Sequence, residues 1–241
     1  MQIALVLRIS RSLPTLHFMH PTSIIMLGAT GAVGGEALKT LLNDPRAEKI
    51  TLLGRREVPG MPADRVSQHK IDIFKPETYD GLITGHEVAV CTLGVGEPSK
   101  ISKEEFERID KLAVIDFAKA CKAAGVRHFE LLASVGINPK SSNYYLRIKG
   151  ELVEALKEMN FERLSIFKPS MIMTPTNRYG FTQAIALAIW PVMDKLFFGG
   201  AKKYKGIKVE DLGTAMGKNV FRVGKEYEEF EWEEFQGLIR D

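Results

Sequence analysis

Short apolar runs alternate with amphipathic stretches along the chain after residue 20. The apolar runs predict strands at residues 23–27, 49–53, 68–71, 87–93, 127–133 and 163–167. Stretches with apolar residues at steps of three and four predict helices at about 32–42, 102–124 and 144–159. Strands that alternate with helices predict an α/β fold, a doubly wound parallel sheet with helices on both faces. Such sheets bind ligands at the carboxyl ends of their strands.

The helix predicted at 102–124 has one apolar face. Ser102 and Glu105 have the spacing of a capping box, which predicts that the helix begins at Ser102. The apolar positions recur at the steps that one buried face requires, and they are Phe106, Ile109, Ala113, Phe117 and Ala120. We therefore expect this helix to pack with that face against the sheet.

The two ends of the chain depart from the alternating pattern. Residues 1–20 contain two arginines and no acidic residue, which is typical of a transit peptide or a poor signal peptide. We favour a disordered or non-native start instead, because a well-formed strand follows directly. From Thr174 the pattern is less regular, so we expect 174–241 to form a small cap on the substrate side of a single domain, 21–241. Its acidic end, 226–234, is predicted to be a solvated helix or edge.

Glycines join the first predicted strand to the first predicted helix. Their spacing is G-x-x-G-x-x-G, whereas the usual dinucleotide fingerprint is G-x-G-x-x-G. The first glycine permits a tight turn, and the second allows the backbone to approach a pyrophosphate closely. The third allows the helix to pack closely on the strand. The N-terminus of the helix would then face the phosphates. Although any tight turn can require glycine, we predict a dinucleotide loop at Gly28, Thr30, Gly31, Ala32, Val33 and Gly34.

Arginines follow the second predicted strand, where proteins that bind NAD usually carry an acidic residue. The guanidiniums of Arg55 and Arg56 can bind a ribose 2′-phosphate, which favours NADP(H) over NAD(H). The alternative is a pair of solvated arginines.

Two further strand ends complete the predicted cofactor site. Asp72 and Ile73 could contact the adenine, although Asp72 fits a turn nearly as well. Leu93, Gly94 and Val95 end the fourth strand, where glycine lets the middle of a cofactor lie against the backbone.

A serine, a tyrosine and a lysine form a possible proton-transfer set. Tyr145 and Lys149 are spaced i and i+4, so one helix face presents both, and Ser134 ends the fifth strand. An ammonium near a phenol stabilises the phenolate, which suits Tyr145 to exchange a proton with a carbonyl or an alcohol. Lys149 could also hold ribose hydroxyls, and Ser134 the reacting oxygen. The alternative is a chance pairing on a half-exposed helix.

In combination, these motifs resemble the atypical short-chain dehydrogenase/reductases, in particular the Tat-interacting oxidoreductase-like branch. The resemblance covers about residues 22–215 and rests on the glycine loop, Leu52-Leu53-Gly54-Arg55-Arg56 and Tyr145-x-x-x-Lys149-Gly150-Glu151. It implies a Rossmann fold that binds NADP(H), with Ser134, Tyr145 and Lys149 as catalytic residues. It also implies that Pro169, Met171 and Ile172 flank the nicotinamide and that Arg178 reaches the cofactor or substrate.

The composition is that of an ordinary globular protein. The chain has 241 residues, 45% apolar and 26% charged, which argues against disordered, collagen-like and disulfide-rich classes. A net charge of +3 is too balanced to indicate a nucleic-acid partner. Cys91 and Cys121 lie in apolar runs without metal-ligand spacing, so we expect buried thiols, no metal and a reducing compartment, the cytoplasm.

The apolar stretch 181–198 is interrupted by Pro191, Asp194 and Lys195, so a membrane span is not expected. We expect it to roof the active site or form an oligomer contact rather than attach to a membrane. The apolar side chains that this stretch would contribute to the active site suggest an apolar carbonyl substrate.

The first function predicted is therefore an NADP(H)-dependent oxidoreductase that acts on a small carbonyl or alcohol. The alternative is an NADP(H) sensor that acts through a protein partner with little or no turnover.

Overall fold

One parallel sheet organises the molecule. The computed structural model describes residues 21–174 and 197–240. In chain order the strands of this part are β1 (Thr22–Leu27), β2 (Ala47–Gly54), β3 (Val66–Lys70), β4 (Val88–Cys91), β5 (His128–Leu132), β6 (Arg163–Phe167), β7 (Ile172–Met173), β8 (Ile207–Lys208) and β9 (Tyr227–Phe230). Seven of them form the sheet, in the order β3-β2-β1-β4-β5-β6-β9, and β7 pairs with β8.

All neighbouring strands of the sheet are parallel, and the chain reverses its direction of winding between β1 and β4. Open α/β sheets bind ligands at this switch point, outside the carboxyl ends of the strands.

Helices cover both faces of the sheet. They are α1 (Ala32–Asn43), α2 (Lys103–Glu107), α3 (Ala113–Ala123), α4 (Tyr144–Glu158), α5 (Val209–Asn219) and α6 (Trp232–Arg240), with a π-helical turn at Arg108–Leu112. One core cluster packs α3 and α4 on the sheet, and a second packs α1, α5 and α6 on the opposite face. The predicted doubly wound α/β fold is confirmed.

The long predicted helix begins as expected but is not continuous. Ser102 Oγ accepts a hydrogen bond from Glu105 N at 3.1 Å, so the predicted N-cap is present. Phe106, Ala113 and Phe117 are buried, also as predicted. The π-helical turn divides the helix between α2 and α3.

The stretch expected to form a cap, 174–241, lies partly outside the described residues, and its described part joins the sheet and the helix layer. β9 is a parallel edge strand beside β6, and α5 packs closely on α1. Most of the described residues of 174–241 therefore belong to the sheet and its helix layer, because they bury apolar surface there. The acidic stretch 226–234 forms this edge strand and the start of α6.

Several expectations concern residues outside the described ranges. These are the state of residues 1–20, the place of Arg178 and the structure of nearly all of 181–198. None of the helices described is both long and apolar enough to cross a membrane. Cys91 and Cys121 are buried free thiols, as expected.

Gly213→Ala should destabilise the contact between α5 and α1. A Cβ at Gly213 would lie 2.7 Å from Ala37 N, so the helices would have to separate. Overpacking of this kind costs about 1–3 kcal/mol. The matched control is Gly237→Ala on α6, where no atom lies within 4 Å of the added Cβ. It should gain up to about 1 kcal/mol from helix propensity. Urea unfolding of both variants measures the difference, and equal stabilities would contradict this account.

Candidate functional site

Backbone segments approach one another closely at the carboxyl end of β1. Gly28 has φ +102°, a conformation that favours glycine. A Cβ there would lie 2.6 Å from Thr92 Oγ1, and a Cβ at Gly34 would lie 2.5 Å from the same atom. Thr92 Oγ1 donates a hydrogen bond to the carbonyl oxygen of Gly28 at 3.1 Å. Only glycine at both positions lets α1 begin this close to the end of β4.

The N-terminus of α1 suits an anion. Gly31 is the N-cap residue, with extended backbone angles and no side-chain cap among the described residues. The first turn contains no acidic side chain. Free N–H groups and the positive end of the helix dipole therefore lie beside the cleft, which favours a phosphate.

A long cleft runs along the carboxyl ends of the strands. Its larger cavity, about 1100 Å³, extends from β1 to the ends of β2 and β3. A smaller cavity of about 530 Å³ continues towards α4 and the residues after β6. Gly31, Ala32, Leu93, Gly94 and Val95 line both cavities, so the two form one elongated site.

Most of the predicted site residues line this cleft. The larger cavity includes Gly28, Thr30, Arg55, Arg56, Asp72 and Ile73. The smaller cavity includes Val33, Gly34, Tyr145, Lys149, Met171 and Ile172.

Two predicted residues of the described ranges are not among the lining residues. Ser134 follows β5, and its Oγ donates to the carbonyl oxygen of Val135 at 3.4 Å. Pro169 accepts a hydrogen bond from Val135 N at 2.9 Å, so it joins the chain after β6 to the chain after β5.

The larger cavity has a cationic end. Arg55 and Arg56 are exposed, and neither forms an ion pair with a carboxylate of the described residues. Arg108, which sequence reasoning missed, lies with its guanidinium 3.8 Å from the centroid of the Phe74 ring. Asp72 has the turn role that was its alternative, because its Oδ1 accepts a hydrogen bond from Phe74 N at 3.0 Å.

The smaller cavity contains the tyrosine and lysine of α4 and a carboxylate that the sequence analysis missed. Lys149 Nζ lies 2.7 Å from Asp110 Oδ1 in a buried ion pair. Burial lowers the pKa of Lys149, but the neighbouring groups, Asp110 foremost, together raise it above its ordinary value, so the ammonium form is favoured. Tyr145 packs on Phe106, with 5.3 Å between the ring centroids.

Thr92 and Ser170 also line this cavity. They belong to the segments 92–96 and 169–172, which follow apolar strands and were expected to lie beside the cofactor.

A third cavity of about 330 Å³ lies beside Tyr145. Ile101, Phe106 and Tyr144 contribute to its largely apolar wall. The Tyr144 hydroxyl donates to the carbonyl oxygen of Lys103 at 3.0 Å, so it already has a partner. Tyr145 lines both this cavity and the smaller cavity of the cleft.

A family model described as NAD(P)H-binding matches residues 28–171 of the chain. The chain belongs to this NAD(P)H-binding family. Protein HTATIP2 of Rattus norvegicus is 36% identical over 157 residues, which is 64% of this chain and 64% of that protein. The alignment thus spans slightly less than two thirds of the length of this relative. Protein FMP52, mitochondrial, of Lodderomyces elongisporus is 28% identical over 200 residues, 79% of this chain and 83% of that protein.

Solved structures confirm the Rossmann fold of this member of the NAD(P)H-binding family. MoeE5 in complex with UDP-glucuronic acid and NAD matches with a TM-score of 0.67 and 14% identity, over 86% of this chain and 75% of that chain. Triphenylmethane reductase of Citrobacter sp., complexed with NADP(H), has a TM-score of 0.61 and 16% identity, over 87% of this chain and 69% of that chain. The resemblance that the motifs indicated is confirmed.

The residues of the cleft fit the dinucleotide that the family implies. The space at Gly28 and Gly34 admits no Cβ, the start of α1 lacks an acidic residue, and the cleft is elongated. Among the described residues, no group of three or more His, Cys, Asp or Glu side chains could hold a metal ion.

Gly34→Ala should weaken both the fold and dinucleotide binding, because the added Cβ would overlap the carbonyl oxygen of Gly28. We expect a loss of about 1–3 kcal/mol of stability. Gly35→Ala is the control, since its Cβ would meet only Ala29 O, at an ordinary 3.5 Å. Urea unfolding and NADPH titration measure both effects. If the two variants behave alike, the close approach does not have the importance assigned to it.

Proposed function

We propose that this protein is an NADP(H)-dependent oxidoreductase that transfers a hydride between the nicotinamide and a carbonyl or alcohol, with Tyr145 as proton donor or acceptor. The observation that carries the proposal is that Tyr145 and Lys149 line the same cavity as the first turn of α1. When bound, the cofactor supplies the hydride chemistry. The chain binds and orients it and moves the proton.

Each part of the cleft has a distinct role in this proposal. The N–H groups at the start of α1 bind the pyrophosphate. The ammonium of Lys149 holds ribose hydroxyls and lies on the same helix face as Tyr145. Pro169, Met171 and Ile172 flank the nicotinamide. Ser134 would hydrogen-bond the reacting oxygen after its hydroxyl turns away from Val135 O.

The preference for NADP(H) rests on cationic side chains at the far end of the cleft. Arg55 and Arg56 lie at the carboxyl end of β2, beside the larger cavity. Guanidiniums bind phosphate with paired hydrogen bonds, whereas a carboxylate at this place would repel it. Arg108 adds a third guanidinium to the wall of this cavity. The complex of triphenylmethane reductase with NADP(H) is consistent with this preference.

The substrate proposed is an apolar carbonyl compound or the corresponding alcohol. The third cavity supports this choice, because its wall is largely apolar and includes Tyr145, the proposed proton donor. Apolar pockets with a few polar groups are typical sites for small molecules.

The proposal places the protein in a reducing compartment, because both cysteines are free and buried. The cytoplasm is our expectation, and the FMP52 relative is named as mitochondrial.

NADPH should raise the melting temperature more than NADH at matched concentration. A ligand at 100 times its dissociation constant stabilises a protein by about 2.7 kcal/mol, which differential scanning fluorimetry detects. Replacing both Arg55 and Arg56 by Ala should strongly reduce the preference, since the 2′-phosphate keeps only Arg108 of the three guanidiniums in this cavity. Arg127→Ala is the control, because this arginine pairs with Glu87 at the opposite end of the strands. Equal shifts with NADPH and NADH in the unaltered protein would contradict the NADP(H) preference.

Tyr145→Phe should lower kcat by about 10²–10⁴-fold, the usual contribution of a proton donor or acceptor. Binding of NADPH should persist, because the aromatic ring remains. Tyr227→Phe on β9 is the control and should retain activity. Stopped-flow NADPH oxidation with a panel of aryl and alkyl carbonyls measures the rates.

Binding of NADPH without turnover of any carbonyl would favour the alternative, an NADP(H) sensor. Full activity in Tyr145→Phe would contradict the proposed role of Tyr145.

A further inference from the structure

A buried ion pair lies inside the cleft. The side chains of Lys149 and Asp110 are 5% and 1% exposed, with 2.7 Å between Lys149 Nζ and Asp110 Oδ1. Such pairs contribute little net stability, because the cost of removing two charges from water offsets their attraction. A buried charged pair that lies in a ligand cleft, with the pKa of its lysine raised, is a candidate for a functional role.

The second oxygen of Asp110 contacts the wall of the cleft. Asp110 Oδ2 accepts a hydrogen bond from Val95 N at 2.8 Å, and Val95 lines both cavities of the cleft. Asp110 lies at the centre of the π-helical turn Arg108–Leu112. Turns of this kind are frequent at functional sites. One carboxylate therefore connects Lys149 to the loop that follows β4.

The charge of Asp110 controls the protonation of Lys149. Burial by itself lowers the pKa of Lys149, and Asp110 makes the largest of the contributions that together raise it above its ordinary value. The other titratable groups facing the ammonium are the phenol of Tyr145 and the thiol of Cys91. Burial raises the pKa of Cys91 to about 12, so this thiol is neutral in the range where enzymes work. Asp110 is thus the carboxylate that keeps Lys149 charged.

We propose that Asp110, itself held by Val95 N, is a positioning residue, which holds Lys149 as an ammonium in the cleft and makes dinucleotide binding insensitive to pH. The proposal rests on the proposed function in one respect, that Lys149 contacts the ribose of the dinucleotide. Asp110 acts only through Lys149 and Val95.

Asp110→Asn removes the charge but keeps the shape and an acceptor for Val95 N. Burial then lowers the pKa of Lys149, which loses its proton as the pH rises. We expect NADPH to bind with near-normal affinity at about pH 6.5 and about tenfold more weakly at about pH 9, since hydrogen bonds from charged donors contribute this much. The unaltered protein should bind equally at both pH values. Isothermal titration calorimetry measures the two affinities.

The stability of ligand-free Asp110→Asn should increase as the pH rises, whereas its affinity for NADPH should decrease. When the pKa of Lys149 is lower in the folded state, the unfolded chain binds more protons, so stability rises with pH. We expect the urea midpoint of Asp110→Asn, relative to that of the unaltered protein, to rise between about pH 6.5 and about pH 9. A packing defect alone would lower stability and affinity together at every pH.

Control variants distinguish an effect of the Asp110 charge on Lys149 from a general loss of binding or folding. Asp116→Asn on α3 makes the same chemical change outside the cleft and should follow the unaltered protein. A loss of affinity in Asp110→Asn that is equal at all pH values would overturn the proposal. Persistence of the pH trend in a Tyr145→Phe background is expected, because the trend is assigned to Lys149. An unaltered protein that binds no NADPH at any pH would contradict the proposed function instead.

A second variant covers the case in which Asp110→Asn does not fold. Asp110→Asn combined with Lys149→Met removes both charges, and such replacements are often tolerated. We expect this double variant to fold and to bind NADPH weakly, without either pH trend. A double variant that remains unfolded would show that Asp110 has a packing role and would overturn the proposal.

Discussion

The close approach of backbone at Gly28, Gly34 and Thr92 positions the rest of the cleft. No Cβ fits at either glycine, so the start of α1 and the end of β4 lie directly against the end of β1. The loop after β4 then continues along the cleft, where Val95 N donates to Asp110, and Asp110 in turn binds Lys149. The close backbone contact at β1 is thus connected through a few contacts to Lys149, the lysine proposed to bind the ribose.

The two ends of the cleft have different chemical characters. The far end exposes the guanidiniums of Arg55 and Arg56. The near end contains the phenol of Tyr145 and the ammonium of Lys149, whose charge is balanced by the Asp110 carboxylate. A ligand that satisfies both ends must be long, anionic at one end and polar without net charge at the other. Dinucleotides with a phosphorylated ribose have this distribution of charge. The open start of α1 lies between the ends, where a pyrophosphate would be.

The buried strands were the most predictable part of the fold. The run 163–167 coincides with β6, because its buried Leu164, Ile166 and Phe167 give a strong apolar signal even though Arg163 and Ser165 interrupt it. The π-helical turn could not be predicted, since the step from Ile109 to Ala113 is an ordinary helical spacing whether or not a residue is inserted. Asp110 therefore resembled a surface residue in the sequence. The acidic stretch 226–234 left a solvated helix and an edge open, and β9 is an edge strand because such a strand tolerates the acidic residues that its sequence contains.

The packing of α5 on α1 also has a consequence for synthesis. Residues 44–208 separate the two helices, and the apolar face of α1, with Ala37, Leu38 and Leu41, is buried in the core that α5 completes. A ribosome adding about 5–20 residues per second needs roughly ten to thirty seconds to make this segment. During that interval the part of the apolar face that α5 later covers remains exposed to solvent. Chaperones that recognise emerging chains would therefore be expected to engage it at α1.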